Sequence, residues 1–191
     1  MDPLLTQIRH CTVCAAHLPH GCRPVMDAHP DSRLVIVGQA PGRRVHESGV
    51  PWDDPSGDNL RAWLEVDRDT FYDPKKIALI PMGFCYPGTG RSGDLPPRKE
   101  CAPLWHPPLF EAMRSVELIL LVGQYAQGYY LGPEVKKNLT ETVRNFRSYL
   151  PKYFPLPHPS PRNNIWQKKN PWFKEELLPN LRERLRSLLD G

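Results

Sequence analysis

The chain has 191 residues, of which 40% are hydrophobic and 24% are charged, and its formal net charge is +4. This length and composition are typical of a globular protein with its own core, and we predict a single domain over residues 1–191. No apolar run approaches the roughly 18 residues of a membrane-spanning helix, so no membrane association is expected. The N-terminal stretch MDPLLTQIRHC lacks the apolar core of a signal peptide, which indicates a cytoplasmic protein.

Four short apolar runs are spread along the chain. They cover residues 34–37, 77–80, 118–122 and, more weakly, 153–156. Continuous runs of this length are typical of strands buried on both faces of a parallel sheet.

Helical patterns separate these predicted strands. The first pattern follows Ser56, which we predict to be its N-cap. The last, over residues 172–189, is amphipathic, and Pro179 either kinks it or starts a second helix. The apolar positions of the three internal patterns are Leu60, Trp63 and Leu64; Leu109, Phe110, Met113 and Val116; and Val135, Leu139 and Val143. Alternating strands and helices predict an α/β fold with a largely parallel sheet.

A loop rich in glycine, proline or polar residues follows three of the predicted strands. These loops are GQAPG at 38–42, MGFCYPG at 82–88 and HPSPRNN at 158–164. Because ligands bind beyond the carboxyl ends of parallel strands, the three loops should converge on one site. Basic residues lie close to two of them: Arg43, Arg44, Arg162, Lys168 and Lys169. This local charge is compatible with nucleic-acid binding, although the modest net charge does not establish it.

The five cysteines suggest a metal site. Cys11 and Cys14 form a CxxC, and Cys85 and Cys101 are separated by fifteen residues. Disulfides are not expected without a signal peptide, whereas two such pairs can supply four thiolates to zinc or to an iron–sulfur cluster. The alternative is a set of unpaired, buried cysteines. Cys22 remains outside the set, as a free thiol or a substitute ligand.

GQAPG at 38–42, GVPWDDPSGD at 49–58 and HPSPRNN at 158–164 together resemble motifs of the uracil-DNA glycosylase superfamily. The cysteine spacing narrows this resemblance to the iron–sulfur branches, families four and five. The resemblance extends over roughly residues 11 to 166 and implies a three-layer α/β/α sandwich around a short, mainly parallel four-stranded sheet. It also implies a mainly structural 4Fe–4S cluster, with zinc as the alternative, held by Cys11, Cys14, Cys85 and Cys101.

The activity that this resemblance implies is that of a monofunctional DNA glycosylase. Such an enzyme flips uracil, or another deaminated base, out of DNA and hydrolyses its N-glycosidic bond, leaving an abasic site. The expected partner is DNA that contains such a base, and the protein is expected to be a monomer. The alternative is a DNA-binding protein that recognises uracil or damage with little or no turnover. It is motivated by Ala40, where several branches have an acid, and by the absence of an asparagine near the end of the second strand.

His158 is the candidate for stabilising the leaving base. Negative charge develops on uracil O2 as the glycosidic bond breaks, and a fixed hydrogen-bond donor is worth most at that point. Pro157 and Pro159 stiffen the backbone around the imidazole. The alternative is a histidine with a purely structural role.

A carboxylate is needed to orient or deprotonate water, and Ala40 cannot supply one. By resemblance to family five, Asp54 is our first candidate and Asp53 the second, with Glu47 as the alternative that resembles family four. Helix capping is the competing role for Asp54.

The remaining site predictions concern the base and the DNA backbone. Trp52 should stack on the extruded base, the alternative being a core tryptophan. The residues 81–83 contain no amide, so backbone groups or Gln39 should read the base. The predicted base-binding set is Gly38, Gln39, Ala40, Trp52 and Met82. The predicted DNA-binding set is Pro41, Gly42, Arg43, Ser160, Pro161, Arg162 and Asn163, with Arg162 entering the space that the base leaves.

Overall fold

The computed structural model describes residues 1–189 and is built around a parallel sheet with helices on both faces. The strand order is β2-β1-β5-β6, and every neighbouring pair in this sheet is parallel. The strands are β1 (Leu34–Val37), β2 (Ile77–Leu79), β5 (Leu118–Val122) and β6 (Tyr153–Leu156). The predicted α/β fold is therefore confirmed, with β2 ending one residue before the predicted limit.

Helices connect the strands and cover the sheet. Their bounds are α1 (Asp2–Arg9), α2 (Arg43–Ser48), α3 (Pro55–Leu64), α4 (Arg68–Phe71), α5 (Cys101–Ala112), α6 (Gln124–Leu131), α7 (Leu139–Arg144), α8 (Asn164–Lys169) and α9 (Leu178–Leu189). None of the helices in the described part of the chain has the length and apolar character needed to cross a membrane.

Alternation along the strands divides the core between the two faces of the sheet. Leu34 and Ile36 of β1 pack with apolar residues from α3, α4, α7 and α9. Val35 and Val37 face the other way and pack with residues from α1, α5 and α6. All four β1 side chains are fully buried, as expected for a strand covered on both faces.

Several helix boundaries differ from the predictions. Ser56 is not the N-cap of α3, because Asp54 holds that position and its Oδ1 accepts a hydrogen bond from the Gly57 amide at 2.8 Å. Val116 lies beyond the end of α5, and Val135 lies before the start of α7. Both valines are apolar residues of connecting segments that happen to continue the helical spacing.

The C-terminal helical segment contains a change of helix type at its proline. A π-helical turn covers Phe173–Leu177, and α9 begins directly after it, at Leu178. Leu178 keeps helical dihedral angles (φ −63°, ψ −42°), so the helix runs on through Pro179 and the proline does not start a separate helix. The π-helical turn lies directly before the proline, which removes one backbone hydrogen-bond donor.

A β-hairpin was not predicted. Its two short strands are β3 (Thr89–Gly90) and β4 (Gly93–Asp94), which pair antiparallel. The hairpin lies in the chain between Cys85 and Cys101, and it reaches the carboxyl edge of the main sheet.

Candidate functional site

A cleft of about 350 Å³ opens at the carboxyl edge of the sheet. Its walls come from the glycine turn after β1, the Trp52 segment, the end of β2, the hairpin and the loop after β6. The residues that line it include Gly38, Gln39, Ala40, Pro41, Gly42, Trp52, Asp54, Ser56, Pro81, Thr89, Gly93, Asp94, His158, Ser160 and Arg162. The convergence predicted for the loops after β1 and β6 is therefore found in the structure, whereas no residue of the third predicted loop, 82–88, lines the cleft.

Trp52 lies against the glycine turn in a strained backbone conformation. Its φ is 57°, a left-handed value that is rare for a bulky residue and often marks a functional site. A Cβ added to Gly38 would lie 2.7 Å from Trp52 Cζ2, so the glycine makes room for the indole. A Cβ added to Gly57 would lie 1.7 Å from the Trp52 carbonyl oxygen, so α3 can pack this closely against the segment only because residue 57 has no side chain.

A buried arginine also supports the Trp52 backbone. Arg61 of α3 is 7% exposed, and its Nη1 donates to the Trp52 carbonyl at 3.4 Å and to the Tyr72 hydroxyl at 3.2 Å. Its charge is balanced by Asp58, whose Oδ1 lies 2.5 Å from Nη2. The strained conformation is thus held in place by a charged network.

His158 faces Trp52 across the cleft, with ring centroids 6.1 Å apart and planes tilted by 36°. The Ser160 amide donates to His158 Nδ1 at 3.2 Å. Because Nδ1 accepts this bond, the neutral ring carries its proton on Nε2. Two asparagines fix the loop: the Asn163 side chain donates to the His158 carbonyl at 2.6 Å, and the Asn59 side chain donates to the Pro159 carbonyl at 2.9 Å.

Burial lowers the pKa of His158, and the negative charges of Asp54 and Asp94 oppose that shift only in part. The imidazole is therefore neutral at pH 7. A neutral ring whose Nδ1 is already occupied offers one donor, Nε2–H.

The three predicted carboxylates lie in different places. Asp54 caps α3, which is the competing role, and it also lines the cleft, as a catalytic role would need. Asp53 lies outside the lining of the cleft, and its Oδ1 is 3.5 Å from Arg68 Nη2. Glu47 is exposed on α2 and does not line the cleft either.

Four other predicted residues lie outside the cleft lining. Arg43 and Pro161 are exposed, and Asn163 acts through its hydrogen bond to the histidine loop. Met82 is buried and lines a separate, larger apolar cavity beside α6, while its backbone amide donates to the Gly38 carbonyl at 2.8 Å. The Met82 side chain therefore does not reach the base-sized space beside His158.

Three hairpin residues that were not predicted also line the cleft: Thr89, Gly93 and Asp94. Two glycines that flank a two-residue tip, in GRSG at 90–93, were the available signal for a tight hairpin. Arg162 approaches this hairpin, with Nη1 3.4 Å from the position of a Cβ on Gly93. The hairpin and the histidine loop thus meet at the rim of the cleft.

All five cysteines surround a second, small cavity, and all are free thiols. Burial raises the pKa of both Cys85 and Cys101 to about 12. Two further groups that line this cavity, Arg98 Nε and Trp105 Nε1, are buried donors with no hydrogen-bond partner among residues 1–189. Within the same residues, no group of three or more His, Cys, Asp or Glu side chains is placed to hold a metal ion.

A family model described as the uracil DNA glycosylase superfamily matches residues 26–182. The matched region includes the glycine turn, Trp52, the hairpin and His158, and it begins after Cys11, Cys14 and Cys22. This match supports a uracil-DNA glycosylase-like function, and it agrees with the sheet and the cleft described above. The chain belongs to the uracil DNA glycosylase superfamily.

Proposed function

We propose that this protein is a monofunctional DNA glycosylase that excises uracil, or another deaminated base, from DNA and leaves an abasic site. The observation that carries this proposal is the pairing of Trp52 and His158 across the cleft, 6.1 Å apart, beside the glycine turn. An aromatic face to hold the flipped base and a fixed donor to stabilise its leaving charge are two of the groups that this cleavage requires.

The proposed reaction uses the neutral form of His158. Trp52 stacks on the flipped ring, and His158 Nε2–H donates to uracil O2 as negative charge develops there. The Ser160 amide keeps Nδ1 as an acceptor, so the donor remains directed at the leaving base. Removing one such donor from an active site costs roughly 100- to 1,000-fold in rate.

Base selection in this proposal depends on groups other than an asparagine after β2. Pro81 lines the cleft at that position, and its carbonyl is already bonded to buried His106 Nε2 at 2.9 Å. Gly38 lies against the Trp52 indole, on which the base is proposed to stack. The next residue, Gln39, and the backbone of the glycine turn line the cleft beside it. We therefore assign recognition of the pyrimidine edge to Gln39 and to this backbone.

Arg162 is assigned to the DNA because it is exposed at the rim of the cleft, on the loop that carries His158. Arg162→Ala should weaken duplex binding. It should also reduce the magnitude of the slope of log affinity against log salt concentration by about one, the value expected for the loss of one phosphate contact. Fluorescence anisotropy at several salt concentrations measures both quantities, and single-stranded DNA should be affected less.

The matched control for Arg162 is Arg114→Ala. Arg114 is also exposed, but it lies in the segment that leads into the amino end of β5, away from the cleft. Its removal should leave the salt slope unchanged. An unchanged slope for Arg162→Ala would show that this side chain does not touch phosphate.

We propose further that Cys11, Cys14, Cys85 and Cys101 hold a 4Fe–4S cluster. The donors around the cavity are soft thiols, and Arg98 Nε and Trp105 Nε1 are free to donate to cluster sulfur. All four thiols line the same cavity, and soft thiolate ligands suit an iron–sulfur cluster, with zinc as the alternative. When bound, the cluster supplies cross-links between the N-terminal segment, the loop after β2 and α5.

A direct test incubates the protein with duplex and single-stranded oligonucleotides that carry one uracil, hypoxanthine or xanthine. Alkali then cleaves any abasic site, and the fragments are resolved on a gel. Fragments from the uracil strand are the expected result. Intact strands together with tight, uracil-dependent binding would instead support a recognition protein without turnover.

A further inference from the structure

The hairpin places a carboxylate in the cleft that was not among the predicted site residues. Asp94 lines the cleft together with Trp52 and His158. Its Oδ2 lies 3.3 Å from the position of a Cβ on Gly42, so the carboxylate lies directly against the glycine turn. The turn itself, GQAPG, contains no carboxylate, so an acid beside it must come from another segment of the chain.

Within the hairpin, the Asp94 carboxylate has one side-chain contact, to Thr89. Asp94 is paired in register with Thr89, whose hydroxyl is 3.4 Å from Asp94 Oδ1 and 2.5 Å from the hydroxyl of buried Tyr86. The Asp94 side chain has no ion-pair partner within 4.0 Å in the described part of the chain. It is exposed, so water can reach it.

Asp54 is the other carboxylate in the lining of the cleft, and it is engaged differently. Its Oδ1 accepts the Gly57 amide at 2.8 Å as the N-cap of α3. One oxygen of Asp54 is therefore held by the backbone of α3, whereas Asp94 receives only the long contact from the Thr89 hydroxyl. Both charges act on His158, so both lie near the reacting end of the cleft.

We infer that Asp94, supplied by the hairpin, is the catalytic carboxylate that orients and deprotonates the attacking water. This inference rests on the proposed glycosylase function and assigns one of its catalytic residues. As the bond between C1′ and the base nitrogen breaks, its electron pair passes to the base. The water oxygen bonds to C1′, and the water proton moves to Asp94. The departing base anion takes a proton from solvent, and Asp94 returns its own proton to solvent.

The test compares Asp94→Asn, Asp94→Glu and Asp54→Asn in single-turnover excision of uracil from a duplex. Affinity is measured separately, on a duplex that carries a non-hydrolysable 2′-fluoro uracil nucleotide. Asparagine is as good an N-cap as aspartate, so Asp54→Asn removes the charge while keeping α3 capped. Asp69→Asn, on exposed α4 and outside the cleft, is the control for loss of one negative charge.

Asp94→Asn should slow excision by about 100-fold or more, the usual contribution of a general base. Its affinity should be equal or higher, because a negative charge beside phosphates is removed. Asp94→Glu should recover part of the rate, and Asp69→Asn should match the wild type.

Three outcomes would overturn the assignment to Asp94. They are an Asp94→Asn rate within about threefold of wild type, a parallel loss of rate and affinity, or a larger rate loss in Asp54→Asn than in Asp94→Asn. If the wild-type protein excises no base, the proposed function fails and this inference fails with it. If the wild type is active and Asp94→Asn equally so, only the inference fails.

Discussion

His158→Ala should slow single-turnover excision of uracil by about 100- to 1,000-fold while the affinity for duplex DNA changes by less than about threefold. The imidazole is expected to contribute where charge develops on the departing base, and that charge is absent when DNA first binds. Quenched single-turnover reactions with enzyme in excess give the rate, and anisotropy on a non-hydrolysable duplex gives the affinity. Equal losses in both would show that His158 acts in binding or folding.

The pH dependence of the wild-type excision rate distinguishes a neutral imidazole donor from a cationic one. Burial lowers the pKa of His158 below the ordinary histidine pKa of about 6.5. The ring therefore stays neutral as the pH falls just below 6.5. The wild-type rate should therefore not rise as pH is lowered through 6.5, as it would if a charged imidazolium were required.

The same pKa shift affects stability. The unfolded state binds a proton at higher pH than the folded state does, so His158 lowers the free energy of unfolding as pH falls from 6.5 towards its folded pKa. His158→Ala should flatten this part of the stability curve, measured by urea unfolding at a series of pH values.

The sheet could be predicted because its signal is local and strong. Each strand is an unbroken apolar run, and burial on both faces demands such a run. Helix ends were less accessible to sequence reasoning, since apolar residues in connecting segments can continue a helical stripe. Val135 follows the spacing of Leu139 and Val143 but precedes the Asn138 cap of α7, and it is 37% exposed.

The candidate site was predictable where it depends on parallel strands ending at one edge. That geometry brings the glycine turn and His158 together from opposite parts of the chain. It does not reveal side-chain direction, so Met82 was grouped with the base although only its neighbour Pro81 lines the cleft. The hairpin strands, with two residues each, are too short to carry an alternating pattern, and Asp94 was missed for that reason.

Replacing any one of Cys11, Cys14, Cys85 or Cys101 by serine should abolish the brown colour and broad visible absorption expected of the purified protein. Iron and acid-labile sulfide, measured chemically, should fall in parallel. These four thiols connect the N-terminal segment, the loop after β2 and α5, so losing the cluster removes cross-links between distant parts of the chain. Loss of a structural metal site is among the largest single-residue effects, about 4 kcal/mol or more, which corresponds to a fall in Tm of roughly 10 °C.

Cys22 provides the matched control, because it lines the same cavity but lies outside the predicted ligand set. Cys22→Ser should retain iron, sulfide, colour and Tm. If Cys22→Ser loses the cluster while one of the other four variants keeps it, Cys22 is the ligand in place of the cysteine replaced in that variant. A colourless wild-type protein that contains zinc would replace the cluster by a single ion.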